Sequence, residues 1–143
     1  MTIAQALKEK NKKVAKLSRI WTKLSSYNSI LEGSERPYSI DELWNQYNAE
    51  IESLVDIKVK IHVASAPVRK NIFMLSELKS KIANIKSLNT TNGITNDRFH
   101  RDEKTQMVAH FKIEWKDSAI EKIEAAIDSI QESLDAFNHT VHI

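Results

Sequence analysis

Apolar residues recur at alternating steps of three and four along most of the chain, and this spacing constrains the fold more than any other feature. The first run follows Thr2 and comprises Ile3, Leu7, Val14, Leu17, Trp21, Leu24 and Leu31. A repeat close to 3.5 residues is typical of helices that pack side by side as in a coiled coil. The chain also has only two glycines and two prolines in 143 residues, which disfavours a many-stranded sandwich or barrel.

Capping and stop signals divide this pattern into four helical segments. Two pairs have the spacing of capping boxes and so predict helix starts: Thr2 with Gln5, and Ser39 with Glu42. Gly33 predicts the end of the first helix, and Pro67 predicts a break between the second and the third. We therefore predict a mainly all-α fold: a single domain over residues 1–143, built as a four-segment antiparallel bundle of long, coiled-coil-like helices.

Residues 94–113 depart from the helical pattern. Polar and apolar residues alternate from Lys104 to Ile113, which predicts a β strand. A lone strand leaves its backbone groups unpaired, so it pairs either with residues 95–101 in a hairpin or with the same strand of another subunit. Both pairings stay open at this point. The apolar side chains that we expect at a subunit contact are Met107, Phe111, Ile113 and Trp115.

The net charge of +2 is unevenly distributed along the chain. Lys and Arg outnumber Asp and Glu seven to two over residues 1–33 and five to one over 67–88, whereas the balance is two to five over 39–66 and two to seven over 114–138. In a bundle, such alternation supplies complementary flanks for neighbouring helices. The alternative is a nucleic-acid or other polyanion surface on the first helix, formed by Lys8, Lys12, Lys13, Lys16, Arg19 and Lys23.

Few residues have a pattern that suggests chemistry. The candidate metal ligands are His100, Asp102 and His110, but their spacing matches no zinc motif, and solvated loop residues are the favoured interpretation. The chain has no cysteine and no Glu-x-x-His sequence of the kind used by di-iron bundles. We therefore predict no catalytic residue, cofactor or small-molecule substrate, and the sequence argues against an enzyme more than for one.

Two features bear on the compartment. Residues 1–13 carry charges where a signal peptide needs an apolar run, and no stretch approaches the roughly 18 apolar residues of a membrane span. The absence of cysteine is compatible with the cytosol. The sequence therefore predicts a cytoplasmic protein without a membrane span.

Four segments of the chain resemble a family of small bacterial helical proteins, some of them labelled septicolysin. The matching segments are residues 4–7, 60–66, 97–102 and 137–143, which read AQAL, KIHVASA, DRFHRD and FNHTVHI. The resemblance implies a helical bundle with one inserted strand region and brings no established activity. The label itself implies a membrane-active toxin, but this chain shows no apolar helix long enough to insert.

These observations favour a non-enzymatic, self-associating helical protein with an interaction or structural role, forming a homo-oligomer of two or more subunits. Polyanion binding through the basic first helix is the alternative. A metal-binding protein and a membrane-active toxin rank below both.

Overall fold

The computed structural model describes residues 1–96 and 104–143, and this part of the chain confirms the predicted mainly helical class with a short β element. The elements in chain order are helices α1 (Ile3–Tyr27), α2 (Ile40–Ala64) and α3 (Arg69–Lys86), strands β1 (Gly93–Asn96) and β2 (Lys104–Met107), and helix α4 (Ile113–Thr140). A short 3-10 turn, Ala66–Val68, joins α2 to α3.

The chain divides into two compact units. Unit 1 comprises Met1–Val68 together with Asp135–Ile143, and unit 2 comprises Arg69–Leu134. Helix α4 therefore contributes its last residues to unit 1 and the rest to unit 2. The single domain expected over residues 1–143 stays a prediction.

Helix α1 begins at the predicted capping box. Thr2 Oγ1 accepts a hydrogen bond from the Gln5 amide at 3.2 Å, and Gln5 Oε1 accepts one from the Thr2 amide at 2.8 Å. The Ile3 amide donates to the Val141 carbonyl at 3.0 Å, so the C-terminal residues of unit 1 lie beside this helix start. These bonds satisfy amides that the first turn of a helix leaves without a partner.

Helices α1 and α2 pack antiparallel in unit 1. Lys16 pairs with Glu50, whereas Trp21, farther along α1, contacts Tyr47, which comes earlier on α2. The shared core consists of Ala6, Leu54 and Ile57, with Leu17 and Ile61 packed against them. Removing these apolar side chains from water is the main stabilising term for the helix pair.

The buried side of α1 coincides only in part with the predicted stripe: Ile3 is buried and Leu17 packs on the core, as the stripe predicts. Ile20 is only 6% exposed, whereas Val14 and Trp21, which the stripe placed at the contact, are 48% and 47% exposed. Lys13 lies half-buried, and its ammonium group is 3.9 Å from the Glu50 carboxylate. Lys13, a charged residue, thus lies at the helix contact, where the apolar pattern predicts Val14.

Helix α1 ends at Tyr27, before the predicted stop at Gly33. The Arg36 guanidinium donates to the carbonyl of Tyr27 at 3.0 Å and to that of Asn28 at 3.1 Å. The last carbonyls of a helix have no intrahelical partner, so these bonds stabilise the earlier end. Gly33 has φ of +85° and uses its left-handed freedom in the following loop.

Helix α2 begins after Ser39 and ends before Pro67, as the sequence predicts. Ser39 Oγ accepts a hydrogen bond from the Glu42 amide at 3.3 Å. This is one of the two hydrogen bonds of the predicted capping box, and it is the one that the described residues form. Pro67 lies in the 3-10 turn, which confirms the break before α3.

In unit 2, strands β1 and β2 form an antiparallel hairpin within the chain, with Gly93 opposite Met107. Of the two pairings that the sequence allows, the structure has the hairpin, although β1 begins before the expected partner segment 95–101. Strand β2 is also shorter than predicted. Beyond it, the Ala109 amide donates to Asn92 Oδ1 at 3.1 Å, which takes the place of a ladder hydrogen bond.

Helices α3 and α4 are linked by few contacts in unit 2. The Lys86 ammonium lies 3.9 Å from the Glu124 carboxylate, and Lys116 Nζ donates to the Leu88 carbonyl at 3.0 Å. Ile123 of α4 is 7% exposed, but no residue of α3, which is described along its whole length, is fully buried. The apolar core of this unit is therefore small.

Candidate functional site

Three aromatic rings form a partly exposed cluster on unit 1. The Trp21 and Tyr47 ring centroids are 5.4 Å apart, and Trp44 stacks on Tyr47 at 5.9 Å with an interplanar angle of 17°. Trp21 and Trp44 are 47% and 49% exposed. Contact with Tyr47 orients both indoles, yet each leaves about half of its surface in water.

The exposed apolar surface continues from Trp44 along α2. Ile51, Val55, Val59 and Val63 follow at steps of four residues and are 37%, 52%, 55% and 66% exposed. We call these four residues, with Trp44, the valine face. Residues three, four and seven apart lie on one side of a helix, and this side is separate from the line of Leu54 and Ile57 that packs on α1.

Sequence reasoning missed the valine face because the stronger Ile and Leu pattern on α2 indicated a single apolar side. A signal was nevertheless present. Val55, Val59 and Val63 recur every four residues and fall between the positions of the core stripe. A helix with two apolar sides has more apolar surface than one neighbouring helix can cover.

The four residues expected at a subunit contact all lie at the surface of unit 2. Met107, Phe111, Ile113 and Trp115 are 43%, 43%, 47% and 41% exposed. The structure brings two of them together: Phe111 stacks on Trp115 with ring centroids 3.8 Å apart and planes 16° from parallel. Met107 ends β2 and Ile113 begins α4. Their role at a contact stays a prediction.

The basic residues of α1 form a stripe along one side of the helix. Five of them follow steps of four, four, three and four and are all exposed; we call them the basic stripe: Lys8, Lys12, Lys16, Arg19 and Lys23. Lys13, the sixth predicted polyanion residue, lies beside the stripe. A shallow groove next to it is lined by residues that include Lys12, Arg19 and Glu50.

Glu50 neutralises part of this basic surface. Its Oε1 accepts a short hydrogen bond from Lys16 Nζ, and its Oε2 lies 3.9 Å from Lys13 Nζ. The hydrogen bond from Lys16, reinforced by the charges of both lysines, lowers the pKa of Glu50 although burial opposes the change. Another basic side chain is also engaged, since Lys23 Nζ lies 4.8 Å above the Tyr38 ring.

The metal hypothesis finds no cluster of ligands. His100 and Asp102 lie outside the described residues. His110 is exposed, and its ring contacts Phe111 edge-on at a centroid distance of 4.9 Å. Among residues 1–96 and 104–143, no group of three or more His, Asp or Glu side chains is placed to hold a metal ion.

Comparison with known proteins adds no relative. No family model matches the chain, and neither the curated proteins nor the solved structures contain a match. The likeness to the septicolysin-like family therefore stays an expectation from the sequence. Within the described part of the chain, no helix is both long enough and apolar enough to cross a membrane.

Proposed function

We propose that this chain is a non-enzymatic helical interaction protein that functions as a homo-oligomer. The observation that carries the proposal is the apolar valine face of unit 1, in which Trp44, Val55, Val59 and Val63 are 49%, 52%, 55% and 66% exposed. A second copy of the chain can cover this face.

The valine face is the surface on unit 1 best suited to such a contact. Monomeric proteins rarely expose contiguous apolar patches beyond a few hundred Å², and larger ones mark interaction sites. Trp44 at one end of the face offers a large, partly ordered ring, and tryptophan is among the residues that contribute most to binding energy at interfaces. The valines that follow add apolar area with little side-chain entropy to lose.

The test is the solution mass by size-exclusion chromatography with light scattering at two protein concentrations. We expect a mass of at least twice 16.4 kDa for the unaltered chain. V55E places a carboxylate in the middle of the valine face, where burial without a partner is costly, and should lower the mass. Q46E adds the same group at an exposed position on the opposite side of α2 and should not.

A monomeric mass for the unaltered chain at both concentrations would overturn the proposal. An oligomer that V55E leaves intact would keep self-association but move the contact away from the valine face. Circular dichroism of both variants would show that each retains the helical content of the parent.

A further inference from the structure

The basic stripe on α1 has a counterpart of opposite charge on α4. Six carboxylates follow α4 at steps of three, four, three, four and four, and all are exposed; we call them the acidic stripe: Glu114, Asp117, Glu121, Glu124, Asp128 and Glu132. Steps of three and four place them on one side of the helix. The lysines of this segment, Lys116 and Lys122, fall outside that spacing.

The two stripes match in length as well as in sign. At a rise of 1.5 Å per residue, the basic stripe spans about 22 Å and the acidic stripe about 27 Å. Local partners neutralise only part of either stripe. Lys16 pairs with Glu50, and Glu124 lies 3.9 Å from Lys86. Lys8, Lys12 and Arg19 are exposed, and none of them forms an ion pair with the residues that the structure describes.

We propose that the basic stripe on α1 of one copy docks on the acidic stripe on α4 of a second copy. This inference rests on the proposed self-association and specifies a contact within it. Charge complementarity and matched length identify the occupant. Exposed ion pairs contribute little energy each, so the stripes set the relative orientation of the copies while apolar contacts supply most of the affinity.

A second copy suits the basic stripe better than a nucleic acid does. A polyanion on α1 would leave the acidic stripe of α4 without a partner, whereas a second copy covers both stripes. Glu9 and Glu50 also line the groove beside the stripe with Lys12 and Arg19. Carboxylates at that position reduce the number of phosphates that this surface can neutralise.

The experiment uses two charge-reversed variants of the full chain. The α1 variant carries K12E and R19E, and the α4 variant carries E121K and D128K; in each, the two changes are seven residues apart on an exposed side. The apparent dissociation constant for self-association is measured by sedimentation velocity for the parent, for each variant alone and for their equimolar mixture. Circular dichroism confirms folding, and the parent is also measured at low and high NaCl.

Each variant alone places like charges against each other and should self-associate about tenfold more weakly than the parent. The mixture pairs the reversed α1 with the reversed α4 and should restore the parent affinity. In the parent, added salt should weaken association because exposed charges are screened.

Two results would overturn the inference while leaving self-association in place: a mixture no tighter than its components, or a parent affinity independent of salt. Nucleic acid that co-purifies with the parent and is lost from the α1 variant, with no change in self-association, would assign the basic stripe to a polyanion. A parent that stays monomeric at every concentration would instead remove the proposed function itself.

Discussion

At the scale of single residues, Glu50 is the charged group on which the α1–α2 contact most depends. Its side chain is 16% exposed and faces Lys13 and Lys16. E50Q removes the charge that faces both lysines and leaves Lys13 with only its exposed partner Glu9, 3.7 Å away, so we expect the unfolding free energy to fall by about 1 kcal/mol at pH 7. Urea unfolding at a fixed protein concentration measures the difference.

The same variant has a defined pH dependence. Because the pKa of Glu50 is lowered by folding, its carboxylate stabilises the native state above the ordinary value of 4.5, and this stabilisation is lost as the pH falls through the folded pKa. The difference in unfolding free energy between the parent and E50Q should therefore decrease at acidic pH. E52Q, which removes an exposed charge from the same helix, is the matched control. If E50Q and E52Q lowered the unfolding free energy equally, Glu50 would have no special role.

Sequence reasoning located the lysines of α1 but not their pairing. The steps of three and four put the basic stripe on one side of the helix, and the structure agrees. That Lys13 lies at the helix contact could not be inferred, because the pairing depends on the register between α1 and α2, and Glu50 is far away in sequence. The apolar pattern alone favoured Val14 for this position, and Val14 is 48% exposed.

At the scale of elements, the start of α2 depends on Ser39. Its hydroxyl satisfies the Glu42 amide, one of the first-turn donors that have no intrahelical partner. S39A should lower the unfolding free energy by about 1 kcal/mol, measured by urea unfolding followed by circular dichroism. S34A truncates a serine in the preceding loop, outside any helix, and should change the stability little. A larger loss for S34A than for S39A would argue against the cap.

The starts of the helices were more predictable than their ends. A start is encoded locally, as at Thr2 and Ser39, where the capping side chain and its target amide are three residues apart. The end of α1 depends on Arg36, whose guanidinium reaches back to the Tyr27 carbonyl from the loop. Periodicity cannot detect such a contact. The alternation of polar and apolar residues likewise predicted a strand. Its end depends on the hydrogen bond from the Ala109 amide to the Asn92 side chain, which a sequence pattern does not show.

At the scale of the whole molecule, the pattern of helices was predictable but the amount of buried surface was not. Alternating steps of three and four predict which side of a helix is apolar, not whether one chain has enough partners to cover it. Trp44 and Val55 illustrate this, since both have apolar side chains that α1 leaves about half exposed. Their exposure follows from which side of α2 packs on α1, and it is the observation on which the proposed second copy depends.

If a second copy completes the burial, stability must depend on protein concentration. A partner that binds only the folded chain raises the unfolding free energy by mass action, about 2.7 kcal/mol per dimer for a hundredfold rise in concentration. With urea dependence typical of this chain length, the unfolding midpoint should rise by roughly 0.5–1 M over that range. V55E should unfold at a midpoint that dilution leaves unchanged, whereas Q46E should behave like the parent. A parent midpoint that stays fixed across the hundredfold range would mean that one chain is stable without a second copy on its valine face, and self-association would then not be its function.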